Sequence, residues 1–132
     1  MPLRPEDVRD MAQRYAQAWS SGDPEAVASF YAPDGRITIN DGDPIVGRAA
    51  VAEMAGGFHG EFPDLVVHLD EIRTAGNSAV FLWTLEGKHS GTGHQVKVSG
   101  WEEWTLSDDV LVSNSFGRFD AVEYDRQVAE GL

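Results

Sequence analysis

The sequence predicts an α+β fold, with helices packed over a mostly antiparallel sheet, spanning residues 1–132 as one domain. Three observations carry this expectation. Apolar residues recur at helical spacing through the first part of the chain, strand-like runs separated by turn signals fill most of the rest, and helix and strand do not alternate as a parallel sheet would require. At 132 residues the chain has room for one core. A chain of this size buries about two-thirds of its unfolded surface, so it folds without a covalent or metal staple. Cysteine is absent, which excludes disulfides and Cys-ligated zinc or iron–sulfur centres.

Pro5, Glu6 and Asp7 open the first helix: proline fixes φ where its missing N–H costs nothing, and the acids meet the positive end of the dipole. Val8, Met11, Ala12, Tyr15, Ala18 and Trp19 share one face, and Ser20-Ser21-Gly22 ends the helix. Asp23-Pro24-Glu25 supplies the cap, first position and dipole acid of a second short helix that buries Val27, Phe30 and Tyr31. Ala32-Pro33-Asp34-Gly35 reads as a turn into a strand over 36–40, which Asp41-Gly42-Asp43-Pro44 closes. Gly47-Arg48 leads to a third helix with Val51, Met54 and Phe58 on one face, broken by Pro63-Asp64. Strands are expected over 65–74, 78–89, 95–106 and 110–119, joined by Gly76-Asn77, Ser90-Gly91-Thr92-Gly93 and Ser107-Asp108-Asp109. A last helix runs over about 120–130.

The net charge of −12, from 22 acidic and 10 basic residues, repels a phosphate backbone, and no Lys/Arg cluster offsets it. Nucleic-acid binding and adhesion to anionic membranes are therefore not expected. No apolar stretch is long enough to span a bilayer. The opening Met1-Pro2-Leu3-Arg4-Pro5-Glu6-Asp7 lacks the apolar run of a signal peptide, so a cytoplasmic location is expected. Ala79-Val80-Phe81-Leu82-Trp83 is apolar on both faces, which predicts a homodimer formed through the open face of the sheet, the alternative being a central strand in a strongly curled sheet. His59, His68, His89 and His94 lack metal-ligand spacing on any one element, and no metal or cofactor is expected.

The element order is accompanied by specific residues. They are Tyr15-(x)3-Trp19-(x)2-Gly22-Asp23, Phe30-Tyr31-Ala32-Pro33-Asp34-Gly35, Gly47-Arg48-Ala49-Ala50-Val51 and Phe62-Pro63-Asp64-Leu65. Leu82-Trp83-Thr84-Leu85-Glu86-Gly87 and Phe119-Asp120 complete the set. In this order, over nearly the whole chain, they resemble the SnoaL-like, or nuclear transport factor 2-like, superfamily. The resemblance implies a cone-shaped, curved sheet with helices over its concave face, enclosing a pocket. That superfamily houses polyketide cyclases, ketosteroid isomerase, epoxide hydrolases, dehydratases and non-enzymatic binding members, so the chemistry must be argued from the residues.

Strand parity places Val96, Val98, Glu102 and Trp104 on one face of their strand, and Val110, Val112, Asn114 and Phe116 on one face of the next. A carboxyl on an apolar face must be protonated, paired or functional. The alternative is an outward Glu102, since the adjacent Glu103 requires one of the pair to face away. Tyr15 is placed like the oxyanion-donating tyrosine of ketosteroid isomerase, and Glu102 falls near that enzyme's protonated acid. Two neutral O–H donors in a dry pocket stabilise an enolate. Tyr15 reads equally as a core tyrosine. The isomerase's base position is Ile39 here, so the same proton shuttle is not expected. The arginine and final aspartate of the epoxide hydrolases read Gly100 and Gly117. The last-strand carboxylate of the cyclases falls at Asn114, which hydrogen-bonds but cannot exchange a proton. Asp120 is the other candidate carboxylate, but at the end of the last strand and the start of the last helix it reads first as a helix cap.

A small apolar ligand is expected in the pocket, against Trp19, Tyr31, Phe58, Trp83, Trp104 and Phe116. The activity that the resemblance implies is cofactor-independent acid–base or enolate-stabilising chemistry, of cyclase or isomerase type, on a small apolar carbonyl compound. Tyr15, Glu102 and Asn114 would be its catalytic residues. A non-catalytic ligand-binding module, or a dimeric interaction protein of the same fold, is the alternative.

Overall fold

The computed structural model describes residues 3–132; Met1 and Pro2, where the segment read for a leader begins, lie outside the described residues. Helix α1 (Pro5–Ser20) buries Val8, Met11, Ala12, Tyr15, Ala18 and Trp19, the face that its periodicity defines. In α2 (Pro24–Ala28) the Asp23 carboxylate caps the helix by accepting from the Glu25 N–H at 3.0 Å. Helix α3 (Arg48–Glu61) starts from Gly47, whose φ of 90° suits glycine, and buries Val51, Ala52 and Ala55. Arg48 Nε donates to the Tyr31 carbonyl at 2.8 Å, which ties the start of α3 to the sheet.

The sheet contains β1 (Tyr31–Ile39), β2 (Ile45–Val46), β3 (Val66–Ala75), β4 (Ser78–Lys88), β5 (Gln95–Leu106) and β6 (Val112–Phe119). Its spatial order is β2-β1-β6-β5-β4-β3; it is curved and unclosed, and it is antiparallel except where β1 lies parallel to β6. Helices and sheet together form the expected α+β architecture. None of the described helices is long and apolar enough to cross a membrane.

Two local readings change. Ala32-Pro33-Asp34-Gly35 does not precede the strand but bulges from within it: Tyr31 pairs with Val112, and the ladder resumes with Arg36 opposite Asn114. Gly35 is required there, because a Cβ would stand 2.5 Å from the Val112 carbonyl oxygen. β2 escapes sequence reading because two residues are too few to show a period.

The larger correction concerns β6. Val110 has a φ of 60° and belongs to the turn, so the strand begins at Val112. Leu106 pairs with Val112 but Thr105 with Asn114, so Ser113 is an extra residue in the ladder, and its hydroxyl donates to the Thr105 carbonyl at 2.9 Å. One inserted residue exchanges the two faces of everything beyond it. Val112 faces the core as expected, but Ser115 and Gly117 are the next buried residues, and Phe116 is exposed. Asn114 and Phe116 therefore do not face the concave side, contrary to the expectation from parity.

β5 keeps its register. Val96, Val98, Glu102, Trp104 and Leu106 are buried, while Trp101 and Glu103 point outward, with the Trp101 Nε1–H donating to Glu103 at 3.1 Å. Gly100 admits no side chain: a Cβ would meet the Arg118 carbonyl at 2.2 Å and the Trp83 ring at 2.7 Å.

Helix α4 (Ala121–Glu130) is capped by Asp120, which accepts from the Glu123 N–H at 3.0 Å. Gln127, buried on this helix, accepts from the Lys97 N–H at 2.7 Å, and His94 Nδ1 lies 2.9 Å from the Val128 carbonyl. These bonds seat α4 against β5.

Candidate active site

Glu102 lies in the middle of β5, opposite Phe81 on β4 and Gly117 on β6. It is 6% exposed. The absence of a side chain at Gly117 leaves room beside it; even an added Cβ would come no closer than 3.9 Å to the Glu102 chain.

The two carboxyl oxygens are treated differently. Oε1 accepts from Trp104 Nε1 and Ser115 Oγ, both at 2.9 Å, with the hydroxyls of Tyr15 and Tyr31 at 3.2 and 3.4 Å. Oε2 meets only the Tyr15 hydroxyl, at 3.1 Å, among the described residues. An indole N–H can only donate, so Oε1 must stay an acceptor and a proton on Glu102 belongs on Oε2. Tyr15 Oη also lies 2.9 Å from Tyr31 Oη, and its single proton serves one neighbour at a time.

Burial raises the Glu102 carboxyl above the ordinary range, and its hydrogen bonds from Trp104, Ser115, Tyr15 and Tyr31 oppose that rise without cancelling it. Burial, followed by the charge of Glu102, pushes both phenols well above their usual value. Tyr15 and Tyr31 therefore remain neutral donors around the carboxyl.

A cavity of about 60 Å³ lies between the helices and the concave sheet. Trp19, Phe58, Phe81, Trp83, Phe119 and Tyr124 supply its aromatic wall, aliphatic residues fill the gaps, and Glu102 is the one carboxyl among the described lining residues. Of the expected pocket residues, Trp19, Phe58 and Trp83 are on this wall. Tyr15, Tyr31 and Trp104 stand behind it, fully or almost fully buried, and Tyr15 packs edge-on against both Phe81 and Trp104 at 5.3 Å. Their hydroxyls and indole N–H reach Glu102, not the cavity. Asn114 and Phe116 are on the opposite face of the sheet.

Sequence reasoning missed Ser115, Phe119 and Tyr124. Ser115 becomes inward only through the bulge at Ser113. Tyr124 had a weak signal, since it shares helical spacing with Gln127 and Val128. Ile39 lies on the wall, so the position where the resembled isomerase keeps its base is apolar here.

No curated protein matches this sequence. Solved structures share its fold. A candidate SnoaL-like polyketide cyclase from Jannaschia sp. CCS1 has a TM-score of 0.85 at 15% identity, covering 100% of this chain and 99% of that one. A protein of ketosteroid isomerase-like fold from Catenulispora acidiphila, in complex with trimethylamine, has a TM-score of 0.83 at 16% identity, covering 96% and 95%. AclR from Streptomyces galilaeus, a candidate hydroxylase, has a TM-score of 0.82 at 18% identity, covering 96% and 83%. At these identities the likeness is one of fold. The family model of the SnoaL-like domain matches residues 12–114, and the chain belongs to that family.

Proposed function

We propose that the cavity binds a small carbonyl compound and that Glu102 catalyses its enolisation by acid–base exchange at Oε2. The observation that carries this reading is the asymmetry of the carboxyl. Oε1 is saturated by donors, whereas Oε2 has spare hydrogen-bonding capacity beside an apolar cavity.

The cavity is small. At roughly 10–15 Å³ per water it has room for about four to six waters and falls well short of the ~150 Å³ cavity that takes up benzene. It therefore suits a ligand of few heavy atoms, and a ring such as cyclohexanone would seat its carbonyl end in the cavity and project from the mouth. The trimethylamine held by the Catenulispora protein also supports a ligand of few heavy atoms in this fold. In the neutral state Oε2–H donates to the carbonyl oxygen and polarises it; the α-proton passes to water at the cavity mouth, and reketonisation returns the Oε2 proton. Tyr15, Tyr31, Trp104 and Ser115 act through Glu102 as positioning residues. A carboxyl raised towards neutrality is suited to such transfer.

Proton exchange at the α-carbon of cyclohexanone in deuterated water, followed by NMR, tests this directly. Saturable, protein-dependent exchange is expected. Stabilisation of the protein by the ketone, without exchange, would replace catalysis with a binding module, a reading favoured by the apolar Ile39 on the wall. Neither exchange nor stabilisation would leave the cavity without a role.

The outer face supports a homodimer. Val80, Glu103 and Phe116 form one cross-strand row, and Leu82 pairs with Trp101 in the next. Trp101 is 41% and Phe116 43% exposed, so two large rings lie on one patch, with Val80 and Leu82 half-buried between strands. Light scattering at micromolar concentration is expected to give about twice the chain mass of 14.4 kDa, and Trp101→Lys to halve it. A stable monomer mass for the unmodified chain would refute the interface.

A further inference from the structure

Two neighbouring cross-strand rows of the concave face each contain a glycine. In one, Phe81 pairs with Glu102 and Glu102 with Gly117; in the next, Trp83 pairs with Gly100 and Gly100 with Phe119. The two glycines are used in opposite ways. Gly117 leaves its place open and lines the cavity beside Glu102. At Gly100 the place is taken: Cζ2 of the Trp83 indole lies 2.7 Å from where a Cβ would stand, with the Phe119 Cβ at 3.0 Å. Phe81 and Glu102 on one side of that row and Leu85 and Val98 on the other line the cavity. Trp83 lines it too, whereas the Gly100 backbone beneath the ring does not. No side chain can be grown from β5 at this point, since it would also run into the Arg118 carbonyl. The width of the cavity one row from Glu102 is therefore set from β4, by Trp83. Trp83 is half-buried while Phe81, Leu85 and Val98 are buried, so its ring is the part of this wall that reaches solvent.

We infer that Trp83 determines the size of ligand the cavity accepts: laid over Gly100, its ring occupies the space that a second, fused ring of a ligand would need, and it admits only a compact ketone in front of Glu102. The inference rests on the proposed reading of the cavity and narrows its ligand class to ketones without a fused ring. A smaller side chain at position 83 would join the space beside Glu102 to the floor over Gly100 and on to Leu85 and Val98, all of it apolar surface. Ligand groups placed there would leave water, at about 4-fold in affinity for each methylene buried. The hydrogen bonds to Glu102 come from Tyr15, Tyr31, Trp104 and Ser115, none of which stands in the Trp83 row. The size of the cavity and the state of its carboxyl are thus set by separate residues.

Titration of the wild-type chain and of Trp83→Leu with cyclohexanone and with the two-ring ketone α-tetralone, followed by NMR, tests this. The indole N–H signal of Trp104 is the reporter, because that group donates to Glu102 Oε1 at 2.9 Å and responds to a ligand at the carboxyl. The wild type is expected to bind α-tetralone no more tightly than cyclohexanone, despite the larger apolar surface of the former. Trp83→Leu is expected to gain about 4-fold for cyclohexanone and about 10-fold or more for α-tetralone, the effect of enclosing one and two further methylene-sized groups. An unshifted Trp104 signal in the ligand-free variant shows that the carboxyl and its donors are undisturbed. Should Trp83→Leu fail to fold, Trp83→Phe is expected to show a smaller gain in the same direction. Binding of the ketones by the wild type with no gain in the folded variant, or with a loss for both, would make Trp83 a mere packing surface and overturn the inference, leaving Glu102 and its cavity intact. Failure of both chains to bind either ketone would overturn the inference and the reading of the cavity together.

Discussion

Glu102→Gln is expected to lower the α-proton exchange of cyclohexanone by about 10²- to 10⁴-fold, the usual contribution of a positioned acid–base group, while the protein stays folded. Glutamine suits the test because it preserves the hydrogen bonds. Its amide oxygen accepts from Trp104 Nε1 and Ser115 Oγ in place of Oε1. Its NH₂ takes the place of Oε2 and donates to Tyr15 Oη, which turns its own proton towards Tyr31, 2.9 Å away. Leucine would instead leave the indole N–H and the Ser115 hydroxyl without partners, at about 1–3 kcal/mol each, and would confuse folding with chemistry.

The same variant has a pH signature. The Glu102 carboxyl titrates higher in the folded chain than in the unfolded one, mainly because of burial. Between those two values the folded state holds the extra proton, so stability falls as pH rises through the window and levels off above the folded value. Urea unfolding across this range should show that fall in the wild type and not in Glu102→Gln. Exchange activity should follow the same limb downward, since the neutral carboxyl is the active form. Unchanged exchange in the variant would remove Glu102 from the chemistry, and an identical pH slope would contradict its buried, raised state.

Phe81→Ala is expected to cost about 3–5 kcal/mol of unfolding free energy in urea, a large part of the roughly 5–15 kcal/mol that holds a domain folded. Phe81 is 1% exposed and stacks on Trp104 with ring centres 5.0 Å apart and planes 16° apart. It also packs edge-on to Tyr15 and forms part of the cavity wall. Truncation joins a new void to the existing cavity, which the surrounding rings are too rigid to fill. The site is affected as well as the core, because the Trp104 ring that donates to Glu102 Oε1 loses its stacking partner. Val122→Ala, at an α4 position 81% exposed and away from the outer sheet face, is the control: it should change stability by about 0.5 kcal/mol or less. A cost below about 1 kcal/mol for Phe81→Ala would show that the site tolerates collapse and does not depend on that stack.

Much of this molecule was legible in one dimension. The openings at Pro5 and Asp23 and the cap at Asp120 follow from the local needs of helix ends, which a few neighbouring residues satisfy. Parity with Val96, Val98 and Trp104 pointed to an inward Glu102 but left Glu103 as the alternative; the unbroken pairing of β5 with β4 decided for Glu102. The family followed from short motifs whose order spans the chain. By contrast, the facing of β6 was decided by tertiary pairing. The extra residue at Ser113 exists only relative to β5, so no period within 110–119 records it; it turned Asn114 and Phe116 outward and brought Ser115 to the carboxyl. The parallel pairing of β1 with β6, and the convergence of Tyr15, Tyr31, Trp104 and Ser115 on one carboxyl, join residues as many as 87 positions apart. Local sequence sets which face of an element is apolar, but which polar atoms meet across that face depends on register and helix docking, which are properties of the whole packed chain.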